Sequence, residues 1–154
     1  MTILSQIPVW VYPLFILLLL LGMRARRERH VPVWLVYMLP LIGLLTLRSL
    51  AAMPNPGLAW PVAAVCFFIG IRVGKSAQAG FLIARQGNRL HLRGENLTLI
   101  TVMGLFCLNF AGGMARGIAP DLAGSVEFVV IMAGLLGGLA GLFPGRALYT
   151  LNAA

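Results

Sequence analysis

The chain alternates between long apolar runs and short polar segments, and this pattern predicts a bundle of membrane-spanning helices. Most of the runs come close to the roughly 20 apolar residues that a helix needs to cross a bilayer. The five runs cover residues 7–23, 33–52, 58–73, 97–115 and 123–143. We therefore predict an all-α integral membrane protein with five transmembrane helices in one domain, residues 1–154.

The first run is predicted to be a membrane span and not a cleaved signal peptide. A signal peptide carries its basic residues before the apolar run, followed by a small-residue cleavage site. Here the order is reversed, because four arginines follow the run: Arg24, Arg26, Arg27 and Arg29. Such a cluster favours retention of this end of the helix in the cytoplasm.

The distribution of basic residues predicts the orientation of the bundle. Lysine and arginine accumulate in the cytoplasmic loops of membrane proteins. If the loops after spans one, three and five are cytoplasmic, only Arg48 and Arg116 remain outside. We therefore predict an N-out, C-in topology, with residues 75–96 as the main cytoplasmic loop. The fifth span is expected to close at residues 144–146, where proline and glycine stand together.

A small β-hairpin is predicted inside the cytoplasmic loop, at residues 81–93. Residues 89–93 alternate strictly between polar and apolar, which is the period of a strand with one apolar face. Residues 87–88, Gly-Asn, suit a two-residue hairpin turn. The alternative is an amphipathic helix at the membrane surface, which the glycines at 87 and 94 disfavour.

The hairpin register predicts two different faces. It pairs Ile83 with Leu92 and Arg85 with Leu90. The apolar face then holds Phe81, Ile83, Leu90 and Leu92, and a cytoplasmic basic face holds Arg89, His91 and Arg93. An isolated hairpin is marginally stable in water, so the apolar face is expected to rest on the membrane or on the helix ends.

The fifth span carries a glycine face that predicts close helix packing. Its members are Gly134, Gly137, Gly138 and Gly141, which form overlapping GxxxG motifs. Glycines spaced four apart let two helix backbones approach closely in a membrane. The face either packs against another helix of the same chain or forms the contact of a homodimer.

A polar cluster is predicted toward the outer face of the membrane. It contains Arg48, Arg116, Asp121 and Glu127, two cations and two anions at similar depth. Ionisable groups near hydrocarbon are costly unless paired, so mutual ion pairs are expected. The cluster is interpreted either as a clamp between helix ends or as the lining of an outer pocket or gate. Asn109, in the middle of span four, is expected to form an interhelical hydrogen bond.

The chain resembles a family of small bacterial inner-membrane proteins, catalogued only as a domain of unknown function. The similar segments are IPVWVYPLFILLLLLGMRARRERHVP at the start, RLHLRG in the predicted hairpin, and GLAGLFPGRAL near the C-terminus. Relatives often carry a basic residue before an aromatic one in span four, where this chain has Asn109 and Phe110. The resemblance implies a multi-pass protein of the bacterial inner (plasma) membrane, and it implies no activity, ligand or site.

The composition excludes several functional classes and leaves two. Only 10% of residues are charged, against about 25% in soluble domains. The net charge is +8, and the basic residues lie in short loops beside the apolar runs. This distribution is typical of residues that orient a membrane protein, so we expect no nucleic-acid binding. No catalytic set, Cys/His metal motif or phosphate-binding glycine loop occurs, so we expect no enzyme, metal or cofactor.

We therefore predict a non-enzymatic accessory or interaction protein that lies in the lipid bilayer. Its partners would be a membrane protein or a second copy of itself, together with anionic lipid headgroups at the cytoplasmic face. The alternative is an oligomeric transporter or channel for an ion or small molecule, gated near the outer polar cluster.

Overall fold

The computed structural model describes residues 11–25, 29–32, 43–44, 46–86, 89–92 and 95–152. The fold of these residues is predominantly helical. The helices are α1 (Val11–Ala25), α2 (Pro56–Phe81), α3 (Leu97–Ile118), the short α4 (Pro120–Gly124) and α5 (Val126–Asn152). Residues 46–51 are also helical. Three of the described helices, α2, α3 and α5, are long and apolar enough to cross a membrane.

Helix α2 is longer than the predicted third span, which covered residues 58–73. It begins at Pro56, a residue suited to the first helical position, and it continues to Phe81. The predicted loop at 75–96 was therefore wrong in its first part, because residues 75–81 are helical. The extension contains good helix formers, and it buries Gln78 completely.

Helix α5 continues past the predicted stop at residues 144–146, so that prediction was wrong. Pro144 lies inside the helix, which ends at Asn152. Proline is tolerated within membrane helices where neighbouring groups take over the lost contacts. Here Gly145 and Arg146, immediately after the proline, are both buried against other elements. Tertiary packing thus outweighs the local signal for a turn.

Three short strands form an antiparallel sheet beside the helices. They are β1 (Arg29–Pro32), β2 (Leu82–Gln86) and β3 (Arg89–Leu92). The strand order is β1-β3-β2, so β3 lies in the middle. The sequence did not predict β1, because four residues beside an arginine cluster have no clear strand pattern.

The register of the sheet agrees with the predicted one at one pair and differs at another. Arg85 lies opposite Leu90, as the alternation predicted. Leu92, however, pairs with Leu82 and not with Ile83, because the ladder is irregular between Leu82 and Ala84. A bulge of this kind places two residues of one strand opposite a single residue of its partner. Sequence alternation alone does not reveal it.

Helices α2 and α5 form the tightest contact in the described fold. A Cβ added at Gly137 would lie 2.8 Å from the Cα of Ala63. One added at Gly141 would overlap the carbonyl oxygen of Phe67. Both contacts are closer than a real Cβ permits, so only glycine allows the two backbones to come this close. Residue numbers rise together along this contact, so α2 and α5 are parallel.

Helix α3 runs antiparallel to its neighbours. A Cβ at Gly22 of α1 would lie 3.0 Å from the Cα of Leu99, near the start of α3. Further along α3, the ring of Phe106 lies 5.8 Å from that of Phe15. On the other side, Met132 of α5 contacts Gly112, near the end of α3. Thus α1, α2 and α5 point one way, and α3 points the other.

The apolar core lies between α2, α3, α5 and the helical residues 46–51. Leu136 and Phe143 of α5 are almost completely buried there, as is Val129, two turns before Leu136. Leu50 belongs to the same cluster, so the segment before α2 is packed into the bundle. In contrast, many large apolar side chains on the outer helix surfaces are exposed, as expected for lipid-facing positions.

Candidate functional site

A buried polar cluster lies at one end of the bundle, beside the sheet. Its centre is Arg146 of α5, which is 3% exposed. Around it lie Gln78 of α2, which is fully buried, and Glu95, which is 5% exposed and precedes α3. Thr98, in the first turn of α3, completes the set. Charged side chains are almost never buried to this extent unless they are paired.

The guanidinium of Arg146 makes one hydrogen bond to each of the other three residues. Its Nε donates to Oε1 of Gln78, and its Nη1 donates to Oγ1 of Thr98, each over 2.8 Å. Its Nη2 donates to Oε1 of Glu95 and forms an ion pair with it. The Thr98 hydroxyl also donates to this carboxylate oxygen over 2.8 Å. The fork of donors in arginine suits such a multiple contact.

Within the described residues, two polar atoms of this buried polar cluster have no hydrogen-bond partner. They are Nε2 of Gln78 and Oε2 of Glu95. An unsatisfied buried polar atom costs about 1–3 kcal/mol. The buried polar cluster therefore combines charge-assisted hydrogen bonds with two unsatisfied polar atoms. Loss of the ion pair would add an unpaired buried charge to that cost.

Helix spacing explains how the four side chains meet. In α2, Gly70, Gly74 and Gln78 are each four residues apart and share one face. In α5, Leu142 and Arg146 have the same spacing, and a Cβ at Gly74 would lie 2.9 Å from the Cα of Leu142. The small residues thus bring the helices together, and one turn later Gln78 meets Arg146.

The depth of the buried polar cluster matches the edge of a bilayer. From Val126, where α5 begins, to Arg146 is about 30 Å at 1.5 Å per residue. That length equals the usual hydrocarbon thickness of about 30 Å. Thr98 and Glu95 lie at the corresponding start of α3. The ion pair therefore lies at one boundary of a membrane-sized slab, at the same end as the sheet.

The predicted outer polar cluster does not form the expected network. Arg48, Asp121 and Glu127 are exposed and Arg116 is half-buried. In the described part of the chain, no ion pair joins any two of these four residues. The prediction of mutual pairing was therefore wrong. Three of the four side chains are exposed close to helix ends, so mutual pairing is not needed to offset burial.

A shallow pocket lies between the helix ends that carry these outer residues. Arg116 lines it together with Ser49 and Asn109. The Ser49 hydroxyl donates to Oδ1 of Asn109, and Nδ2 of Asn109 donates to the carbonyl of Leu105 over 2.7 Å. The predicted interhelical hydrogen bond of Asn109 is thereby confirmed. Phe128 and Met132 supply part of the apolar wall.

The glycine face packs within the chain, which was one of the two interpretations. Each of its four members faces α2: Gly134, Gly137, Gly138 and Gly141 have backbone or side-chain atoms of that helix within 4 Å of an added Cβ. Because α2 covers this face, it is not available for a homodimer. The cytoplasmic basic face is described in part: Arg89 and His91 lie on β3, and Arg93 lies outside the described residues.

The sequence carries a signal for the buried polar cluster that the pattern of apolar runs does not use. That pattern places Arg146 where span five closes and Glu95 at the end of the loop at residues 75–96. Yet Arg146 is the only basic residue after Arg116, in an apolar segment, and Glu95 is the only acid between Glu28 and Asp121. An isolated charge in an apolar helix implies a partner of opposite sign.

Comparisons with known proteins add no further assignment. No protein-family model matches the chain, and no significantly similar sequence or fold was found among curated proteins and solved structures. The resemblance to a family of unknown function therefore stays a prediction.

Proposed function

We propose that this chain is a non-enzymatic accessory protein of the bacterial inner membrane, which presents its three-stranded sheet to a protein partner. The observation that carries the proposal is the position of the buried polar cluster. Gln78 comes shortly before β2, and Glu95 comes shortly after β3. Arg146 binds both residues, so the strongest polar contacts of the bundle fasten the two ends of the β2–β3 segment.

The directions of the helices support five spans. Helix α1 ends near the buried polar cluster, and α2 begins at the opposite end of the bundle. Pro32, on β1, lies at the sheet end of the bundle, and Ser49, which bonds Asn109 of α3, lies toward the other end. The predicted second span, residues 33–52, would join these two positions. Five spans with the sheet in the cytoplasm and an N-out, C-in topology account for this path.

A native pull-down from membranes tests the proposed function. The wild-type chain should retain a membrane-protein partner in stoichiometric amount. Replacing residues 82–92 with a glycine-serine linker should abolish retention, because the proposed contact surface is removed. Insertion should be unchanged, since α2, α3 and α5 remain intact. A partner that is captured equally by both chains would overturn the role of the sheet, and capture of no partner would overturn the accessory function.

A second candidate function is an oligomeric transporter or channel that opens at the outer pocket. The observation that favours it is the pairing of a cation, Arg116, with the polar Ser49–Asn109 contact in one pocket. Such a small chain would need several copies to line a pathway. Native mass spectrometry in mild detergent decides between the two, because a strictly monomeric chain excludes the oligomeric transporter.

A further inference from the structure

We propose that the sheet-bearing end of the bundle binds the headgroups of anionic phospholipids through Arg72 and Lys75 of α2. This inference rests on the proposed membrane orientation and names a lipid as a second, separate partner. It concerns an exposed surface of α2 and not the buried polar cluster itself.

The two basic residues lie at the depth of the lipid phosphates. At 1.5 Å per residue, Lys75 is about 29 Å from Pro56, where α2 begins, and so reaches the far boundary of a hydrocarbon layer about 30 Å thick. Arg72 is about 24 Å from Pro56, and its long side chain can extend the remaining distance to the headgroup level. Both are exposed, and their spacing of three residues puts them on one side of the helix.

No acid among the described residues supplies a counter-charge to these two cations. The described acids are Glu95, Asp121 and Glu127. Glu95 is at the right end of the bundle but is buried in its ion pair with Arg146. The other two acids lie at the opposite end. Within the described ranges, neither Arg72 nor Lys75 forms an ion pair.

The buried ion pair thus determines the charge of the surface above it. By holding Glu95 inside the bundle, Arg146 removes the one described acid that could neutralise this end. A cationic surface at phosphate depth complements an anionic headgroup, and each such residue strengthens the association by about fivefold.

Lipid retention by the full chain tests the inference. The protein is purified in mild detergent with equal amounts of phosphatidylglycerol and phosphatidylcholine, and the bound lipids are counted by native mass spectrometry. The wild-type chain should retain phosphatidylglycerol in several-fold excess. Arg72→Gln should reduce this excess about fivefold, and the double variant Arg72→Gln/Lys75→Gln should reduce it further.

Arg48→Gln is the matched control, because it removes an exposed arginine from the opposite end of the bundle. It should leave the preference for phosphatidylglycerol unchanged. Equal retention of the two lipids by the wild-type chain would overturn the inference. An equal reduction in Arg72→Gln and Arg48→Gln would also overturn it, because the effect would then follow net charge and not position.

The lipid result and the pull-down can fail separately. A wild-type chain that captures a protein partner but shows no lipid preference would overturn this inference and leave the accessory function standing. A chain that prefers phosphatidylglycerol through Arg72 but captures no partner would support the lipid site and overturn the accessory function.

Discussion

At the scale of single residues, the ion pair between Arg146 and Glu95 is the most consequential feature of the described structure. Two ions taken out of water lose hydration energy, which their mutual attraction returns only with good geometry and further hydrogen bonds. Gln78 and Thr98 supply those bonds. The pair therefore contributes to stability only as part of the four-residue buried polar cluster.

Removal of one partner should be more damaging than removal of both. Arg146→Met leaves the Glu95 carboxylate buried without its cation, and we expect a loss of about 3–5 kcal/mol in the free energy of unfolding. In the double variant Arg146→Met/Glu95→Leu no buried charge remains, so the loss should be smaller than the sum of the single losses. Denaturant unfolding in mild detergent, followed by tryptophan fluorescence, measures both. Strictly additive losses would contradict this account.

At the scale of elements, the close contact of α2 and α5 determines where the polar side chains meet. Gly137 and Gly141 admit the backbone of α2, and no larger residue fits without displacing it. In hydrocarbon the helices gain little from hydrophobic burial, so close packing and backbone contacts hold them together. The same contact aligns Gln78 with Arg146 further along the two helices.

Two glycine substitutions should have opposite effects on stability. Gly141→Ala puts a methyl group against the backbone of α2, 3.1 Å from the Cα of Gly70, and should destabilise the chain by about 1–3 kcal/mol. Gly113 lies in α3, and a Cβ added there would have no atom within 4 Å. Gly113→Ala should therefore be neutral or stabilising by up to about 1 kcal/mol. Thermal unfolding in detergent compares them. A similar midpoint for both variants would show that the α2–α5 contact is looser than described.

The buried polar cluster should also limit the opening of the sheet. Because Arg146 holds residues on both sides of the β2–β3 segment, Arg146→Met should speed amide hydrogen exchange in residues 82–92. Exchange in the middle of α5, around Leu136, should change much less, since its apolar packing is untouched. Mass-spectrometric exchange in detergent gives both rates. A uniform increase along the chain would indicate global destabilisation and no specific coupling.

At the scale of the whole molecule, the two ends of the bundle differ in which of their described charged side chains are exposed. One end buries its acid against Arg146 and leaves Arg72 exposed without an ion pair in the described ranges. The other end exposes Asp121 and Glu127 together with Arg48. This asymmetry in accessible charge is the physical basis for the proposed orientation, because cytoplasmic surfaces are enriched in accessible cations.

The orientation can be measured by cysteine labelling from one side of the membrane. In a chain with Cys66→Ala and Cys107→Ala, which removes both free cysteines, single cysteines are placed by Asn55→Cys and Asn88→Cys. Asn55 precedes α2 at the proposed outer end, and Asn88 separates β2 from β3 in the sequence. An impermeant maleimide added to intact spheroplasts should label only the first variant. Labelling of only the second would reverse the proposed topology.

The apolar periodicity predicted a helical membrane class and the approximate positions of α2, α3 and α5, because hydrocarbon imposes length and composition on any span. It also identified the glycine face and the need of Asn109 for a hydrogen-bond partner. It failed at the ends of helices. Residues 75–81 and the segment after Pro144 read as loop or turn, yet both are helical where they pack on each other.

The sequence by itself thus determined that this is a membrane protein, where its spans approximately lie and which small residues permit close packing. These properties depend on composition and local spacing. Only the tertiary structure decided which charges are paired. Glu95 and Arg146 are 51 positions apart, and their attraction depends on a helix contact that no local pattern specifies. The same holds for β1, which becomes a strand only because β3 is brought beside it.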